Sequence, residues 1–188
     1  MKKIIGTIAL LCFSIITLNA QIKLPPLDKS PMDMSYYPNQ YPQLKLDPKK
    51  NTAPLVARVI YSRPQKNGRT IFDSLVAYNK VWRVGANEAT EIDFFKPVKI
   101  NGINIPEGRY TLYAIPDSAK WTIIINKETD IWGDFGYDQN KDILRTDVPV
   151  EKQSTSTEAL SIVFTKAAAG ADLIIVWDTV KVALPIVF

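Results

Sequence analysis

From Leu55 onward, apolar residues return at every second position in short runs, and Gly, Pro and Asn separate the runs. This alternation limits the fold more than any other property of the chain, because a period of two puts one face of an extended strand in a core and leaves the other outside. Leu55, Ala57, Val59 and Tyr61 share one face, with Val56, Arg58 and Ile60 on the other. In Glu91–Phe95 the spacing turns Ile92 and Phe94 inward and Glu91 and Asp93 toward water. No amphipathic stretch reaches the ten or more residues, roughly, of a crossover helix. Turn signals recur at about ten-residue intervals, which predicts an all-β domain, a single antiparallel β-sandwich of about eight or nine strands, jelly-roll-like or Greek-key.

The connections follow from residue chemistry. Asn67-Gly68 and Asn101-Gly102 supply positive φ cheaply, the second as a hairpin turn between Val98–Ile100 and Ile103–Ile105. Thr70–Val76 reads as a strand or one helical turn, and Ala167–Ala171, interrupted by glycine, as a turn. Asp172–Asp178 is apolar on both faces, so both are expected to be covered. Residues 127–150 form a weakly patterned insert, read as a solvated loop pinned by Trp132 and Tyr137. Ahead of the domain, the Pro-rich N-terminal arm 21–53 reads as irregular, because Pro25, Pro26, Pro31, Pro38, Pro42 and Pro48 remove donors and bias their neighbours toward extended backbone. It is taken as an arm over a sheet or a linker; the competing reading is a strap over a ligand groove.

The first residues carry an address. Lys2 and Lys3 precede the apolar run Ile4–Ile16, and Leu18-Asn19-Ala20 offers a small residue for cleavage before Gln21, which predicts a signal peptide over 1–20. The run is shorter than the roughly 20 residues of a membrane span. The expected chain is therefore exported, periplasmic or associated with the cell envelope, without stable membrane insertion, with 21–53 as the arm and 54–188 as the β-sandwich domain. The one cysteine, Cys12, leaves with the leader, so no disulfide holds the mature fold. Losing Lys2 and Lys3 also reduces the basic count from 23 to 21 against 19 acids, a formal charge of +2 instead of +4. No basic cluster with interleaved aromatics points to nucleic acid. The chain has no histidine, which excludes Ser-His-Asp and Cys-His catalysis and the commonest ligand for zinc, copper and haem. No cofactor and no metal is expected. The acids Asp130, Asp134, Asp138 and Asp142 do not match a calcium-loop pattern.

The polar residues with most scope for specific work gather at Val81–Thr90. Trp82, Arg83, Asn87, Glu88 and Thr90 are the candidate ligand-binding residues, with Arg63, Arg69 and Trp132 as secondary candidates. Guanidinium groups suit bidentate contact with carboxylate or phosphate, and a tryptophan gives a flat apolar floor. The competing structural reading has Gly85 permitting close approach, Asn87 adopting a left-handed turn, and Glu88 pairing with Arg83 or backbone donors. For hydrolysis the chain offers Glu88, Glu91, Asp93, Asp134 and Asp138; Glu91 and Asp93 share a strand face at a plausible separation, which is equally the signature of a solvent face.

Four runs carry a resemblance: Lys80–Thr90, Pro106–Leu112, Trp121–Lys127 and Trp132–Asp138. Together they resemble the DUF2911 family, exported proteins of Bacteroidetes and their relatives, over about residues 53–185. The resemblance implies a single exported domain and assigns no activity or site residue. The expected function is an exported domain that binds a small polar ligand, a glycan or anionic metabolite, at the 82–90 turn. The alternatives are a structural or protein-interaction module with an envelope protein partner, and a carboxylate-dependent hydrolase.

Overall fold

Tyr110, Leu112 and Ala114 on one strand, and Trp121, Ile123 and Ile125 on the next, are all buried in one core, as their alternation requires. The computed structural model describes residues 22–47, 49 and 53–188; the leader expected at 1–20 lies outside them. In chain order the elements are β1 (Met32–Tyr37), a single helical turn α1 (Tyr41–Leu44), β2 (Ala57–Ser62), β3 (Glu91–Phe94), β4 (Val98–Ile100), β5 (Ile103–Ile105), β6 (Gly108–Pro116), β7 (Lys120–Asn126), β8 (Asp142–Pro149), β9 (Glu151–Ala167) and β10 (Gly170–Val187). A six-stranded sheet runs β1-β2-β3-β6-β7-β8 and a four-stranded sheet runs β5-β4-β10-β9. Every strand pair is antiparallel. The fold is all-β, two antiparallel sheets packed face to face, with ten strands where about eight or nine are expected.

Both Asn-Gly turns form as their chemistry dictates: Asn67, Gly68, Asn101 and Gly102 all have positive φ, and the second pair closes the β4–β5 hairpin at Ile100 and Ile103. Thr70–Val76 is neither strand nor helix but a tight turn, with Val76 N donating to Ile71 O and Asp73 N to Val76 O. The β9–β10 turn falls at Ala167–Gly170. In β10 the inward positions are Leu173, Ile175 and Trp177, then Val180, Val182, Leu184 and Ile186. The phase changes at an irregularity around Asp178, whose φ is 52°. Ile174 and Val176 are only half-buried, so the outer face of this strand is less covered than its composition predicts.

That irregularity lets the long ribbon turn sharply. A straight 18-residue strand spans about 60 Å, yet the two ends of β10 meet. Phe188 N donates to Ala169 O, and a Cβ on Gly170 would lie 2.0 Å from the Ile186 carbonyl oxygen. Only glycine fits there.

Three expectations need correction. Order begins at Met32 and not near Leu55: β1 lies inside the supposedly irregular arm, between Pro31 and Pro38. It is an edge strand, the one sheet position that tolerates such neighbours. Its other side faces β9 through side chains, with Ser35 Oγ donating to Ile162 O and Asn39 Nδ2 to Phe164 O. Next, Glu91 and Asp93 do not face water; each is 8% exposed. They sit in the middle of the larger sheet, where Arg58 from β2 covers Asp93 and Arg109 from β6 covers Glu91. Finally, the loop expected over 127–150 ends at Lys141, because Asp142–Pro149 pairs with β7 as β8, and Trp132 does not pin the 127–141 remainder. The tryptophan is 61% exposed, and the anchors are Ile131 and Tyr137, packed on the outer cluster of Ala89, Tyr113 and Ile124.

Candidate functional site

The Val81–Thr90 corner lies along β6. Trp82 and Ala114 exchange two backbone hydrogen bonds, of 2.7 and 3.0 Å, and Leu112 N donates to Thr90 O. Both ends of the segment therefore hold the sheet line while residues 83–89 loop away from it. The base of the loop is closed by Thr90 N donating to Arg83 O. Thr90, 1% exposed, donates its hydroxyl to Val84 O at 2.8 Å. The buried hydroxyl of Ser62 at the end of β2 serves Ala86 twice, donating to its carbonyl and accepting from its amide. Gly85 is needed for this approach, since a Cβ there would sit 2.9 Å from Ser62 Oγ. Asn87 takes the left-handed conformation with φ 60°. Val84 does so as well, at φ 55°, where a β-branched residue is strained by about 1–3 kcal/mol.

The corner divides the expected site residues between two places. Trp82 and Arg83 line a cavity of about 250 Å³ together with Arg69, Gly85, Ala86, Leu75, Val76, Pro64, Ser30 and Trp177. Asn87 and Glu88 belong to the other side: Gly133 N donates to Asn87 O, Glu88 bridges to Trp132, and Glu88 lines a separate cavity with Glu91, Arg109 and Asp130. Glu88 does not pair with Arg83. Thr90 is committed to backbone. Arg63 is a clamp between strands, bonded to Asp33 of β1 and to Leu160 O and Ser161 of β9.

Within the 250 Å³ cavity the floor is two indoles. Trp82 and Trp177 stack with centroids 6.2 Å apart and planes 16° from parallel, and Trp121 meets Trp82 edge-on at 5.7 Å. Both floor rings are core residues, 6% and 1% exposed, so removing Trp82 would cost about 3–5 kcal/mol and is a poor test of binding. Arg69 is braced in place, its Nε and an Nη donating to Lys66 O and Gln65 O.

Arg83 is different from every other arginine of the chain. Arg58, Arg63, Arg109 and Arg145 each hold a carboxylate, and Arg69 holds its own turn. The guanidinium of Arg83 has no partner among the described residues, and its Nε is buried without an acceptor. A buried unsatisfied donor costs about 1–3 kcal/mol, more when charged. No carboxylate among the described residues lines the cavity. What results is a small, positively charged recess with an aromatic floor.

Size does not single out this recess. A larger concavity, about 670 Å³ between β1 and β9, is lined by Met34, Tyr36, Gln40, Phe164 and other uncharged residues. Glu91 and Asp93 line different cavities, so these two acids do not face one bond. Among the described residues no cluster of acids is arranged to hold a metal ion, and no helix is long and apolar enough to cross a membrane.

A family described as "Protein of unknown function (DUF2911)" matches residues 47–186. The chain belongs to the DUF2911 family. The family span takes in β2 to β10 and the whole 82–90 corner, and leaves β1 outside it. No curated protein and no solved structure matches the chain.

Sequence reasoning missed most of the recess. Trp177, Leu75, Val76, Pro64 and Ser30 come from four separate stretches, and strand periodicity says only that Trp177 is buried. The one available signal was the closeness of Arg69 and Arg83 to a tryptophan.

Proposed function

We propose that this DUF2911 protein is an exported binding domain that holds a small anionic ligand in the recess beneath Arg83. The observation that carries the reading is the unpartnered Arg83 guanidinium, its Nε buried, in a cavity with Arg69 and no acid. A charged donor left uncompensated is a standing cost to the fold, and an entering anion removes it. The strained φ of Val84, next in sequence, falls where function most often tolerates such strain. Export rests on the leader-like residues 1–20 and on the family resemblance. In this reading the 21–53 arm supplies one wall, since Ser30 lines the recess. Trp82 is the floor, while Asn87, Glu88 and Thr90 hold the loop that presents Arg83.

A thermal-shift screen of small anions and matched neutral compounds on residues 21–188 tests the proposal. The expected result is stabilisation by anions that disappears in Arg83→Ala with the fold intact. Anion effects indifferent to Arg83→Ala overturn it, as does the absence of any hit.

A second reading, an envelope interaction module, is favoured by one observation: Trp132 and Phe135 are 61% and 86% exposed on the same loop. Exposed aromatics of this size mark contact surfaces more often than isolated aliphatic residues do.

A further inference from the structure

Building on the proposed anion recess, we infer that its ligand is a small monocarboxylate carrying a flat apolar body, and not a phosphate, a sulfate or a sugar. The inference comes from which donors remain free and what surrounds them. A tetrahedral anion is held by donors converging from several directions, usually a nest of backbone N–H groups. Here several of the nearby donors are already used. Ala86 N donates to Ser62 Oγ and Trp82 Nε1 to Gly85 O. Arg69 spends its Nε and one Nη on Lys66 O and Gln65 O. Among the lining side chains, what remains is the guanidinium of Arg83, the unused edge of Arg69 and the single hydroxyl of Ser30. A planar guanidinium presents two parallel N–H groups, which match the two oxygens of a carboxylate.

The rest of the wall decides the body. Leu75, Val76 and Pro64 are apolar, and Trp82 and Trp177, nearly closed over by the core, add a little indole surface. An acid with no apolar portion leaves this surface uncovered, and a polyhydroxylated sugar finds few partners for its hydroxyls. A flat hydrocarbon or aromatic body buries against this apolar wall while the carboxylate reaches Arg83. The cavity, about 250 Å³, falls below the roughly 300 Å³ at which typical small-molecule sites begin. One ring and a short acid side chain suit that space.

The test is a titration of residues 21–188, followed by tryptophan fluorescence, with phenylacetate and indole-3-acetate. Phenylacetamide, acetate, inorganic phosphate and sulfate are run beside them. The arylacetates are expected to bind, with phenylacetamide and acetate each weaker by about tenfold or more, the worth of one charge-assisted contact or of the buried ring. Arg83→Lys keeps the charge but loses the fork, and is expected to weaken arylacetate binding about tenfold; Arg83→Ala is expected to abolish it. If phosphate or sulfate binds more tightly than the arylacetates, and Arg83→Ala removes that binding, the ligand class is wrong while the anion recess stands. Equal binding of phenylacetate and its amide also overturns the carboxylate. If no anion binds the folded protein at all, the recess and its ligand class fail together.

Discussion

Val84 and Arg83 are adjacent, and each carries a cost that the fold does not recover locally. Val84 adopts a left-handed backbone with its side chain fully buried, and Arg83 keeps a buried Nε with no acceptor. Neighbouring costs of this kind point to selection for something other than stability. Replacing Arg83 by methionine removes the orphaned donor and keeps most of the aliphatic stem. Arg83→Met is therefore expected to leave stability unchanged or raise it by about 1 kcal/mol, read from the urea midpoint. A loss of 2 kcal/mol or more, roughly the scale of a lost structural contact, would mean that Arg83 is holding the fold. Sequence pattern had access to half of this. Gly85 and Asn87 are where a tight loop needs them, and their roles in close approach and positive φ follow from residue type. That Arg83 would lack a partner does not, since Glu88 lies at plausible spacing and points elsewhere.

At the scale of elements, the strands were legible because alternation specifies which side chains share a face. It does not specify what covers the face. Glu91 and Asp93 alternate with Ile92 and Phe94 as on a solvent-facing strand, yet arginines from the flanking strands cover both. Nothing local to β3 reveals those neighbours. The β1 strand was hidden for a different reason: the prolines around it exclude a central strand and leave the edge open. The sharp turn of β10 could not be read either, because it depends on Gly170 lying against a residue sixteen positions later. With the Ile186 carbonyl 2.0 Å from any added Cβ, Gly170→Ala must force the two ends of the strand apart. It is expected to destabilise by about 1–3 kcal/mol or more, measured by chemical denaturation. A neutral result would show that these ends do not meet in solution.

Across the whole molecule, the 127–141 segment covers the outer face of the larger sheet around Tyr113 and Ile124, and this gives the fold a definite alkaline limit. Burial, together with Glu128, Asp134 and Asp142 nearby, pushes the Tyr113 phenol up to about 12. Burial, with a hydrogen bond to Asp142, pushes Tyr137 up to about 12. Both phenols hold their protons more tightly folded than unfolded, where tyrosine titrates near 10. Their contribution is thus complete below about pH 10 and is lost as the pH rises from there toward 12. The melting temperature is expected to fall across that window. Tyr137→Phe should flatten part of the fall, and absorbance near 295 nm should show late-titrating tyrosines, one fewer of them in Tyr137→Phe. Ordinary titration of all the tyrosines near 10 would mean that the segment does not cover this face.

The attachment of β1 has a consequence of its own. Its backbone pairs with β2 from Met32 opposite Ser62 to Tyr37 opposite Ala57, and Arg63 fastens Asp33 and the β9 backbone together. The chain between Tyr37 and Ala57 is long enough to leave the strand tethered but not confined to its own β2. None of these bonds distinguishes a strand supplied in cis from the same strand of another copy. Two chains are therefore expected to trade their first strands at high concentration, read as a dimer that grows with concentration in size-exclusion chromatography; a monomer throughout would mean that β1 stays on its own β2.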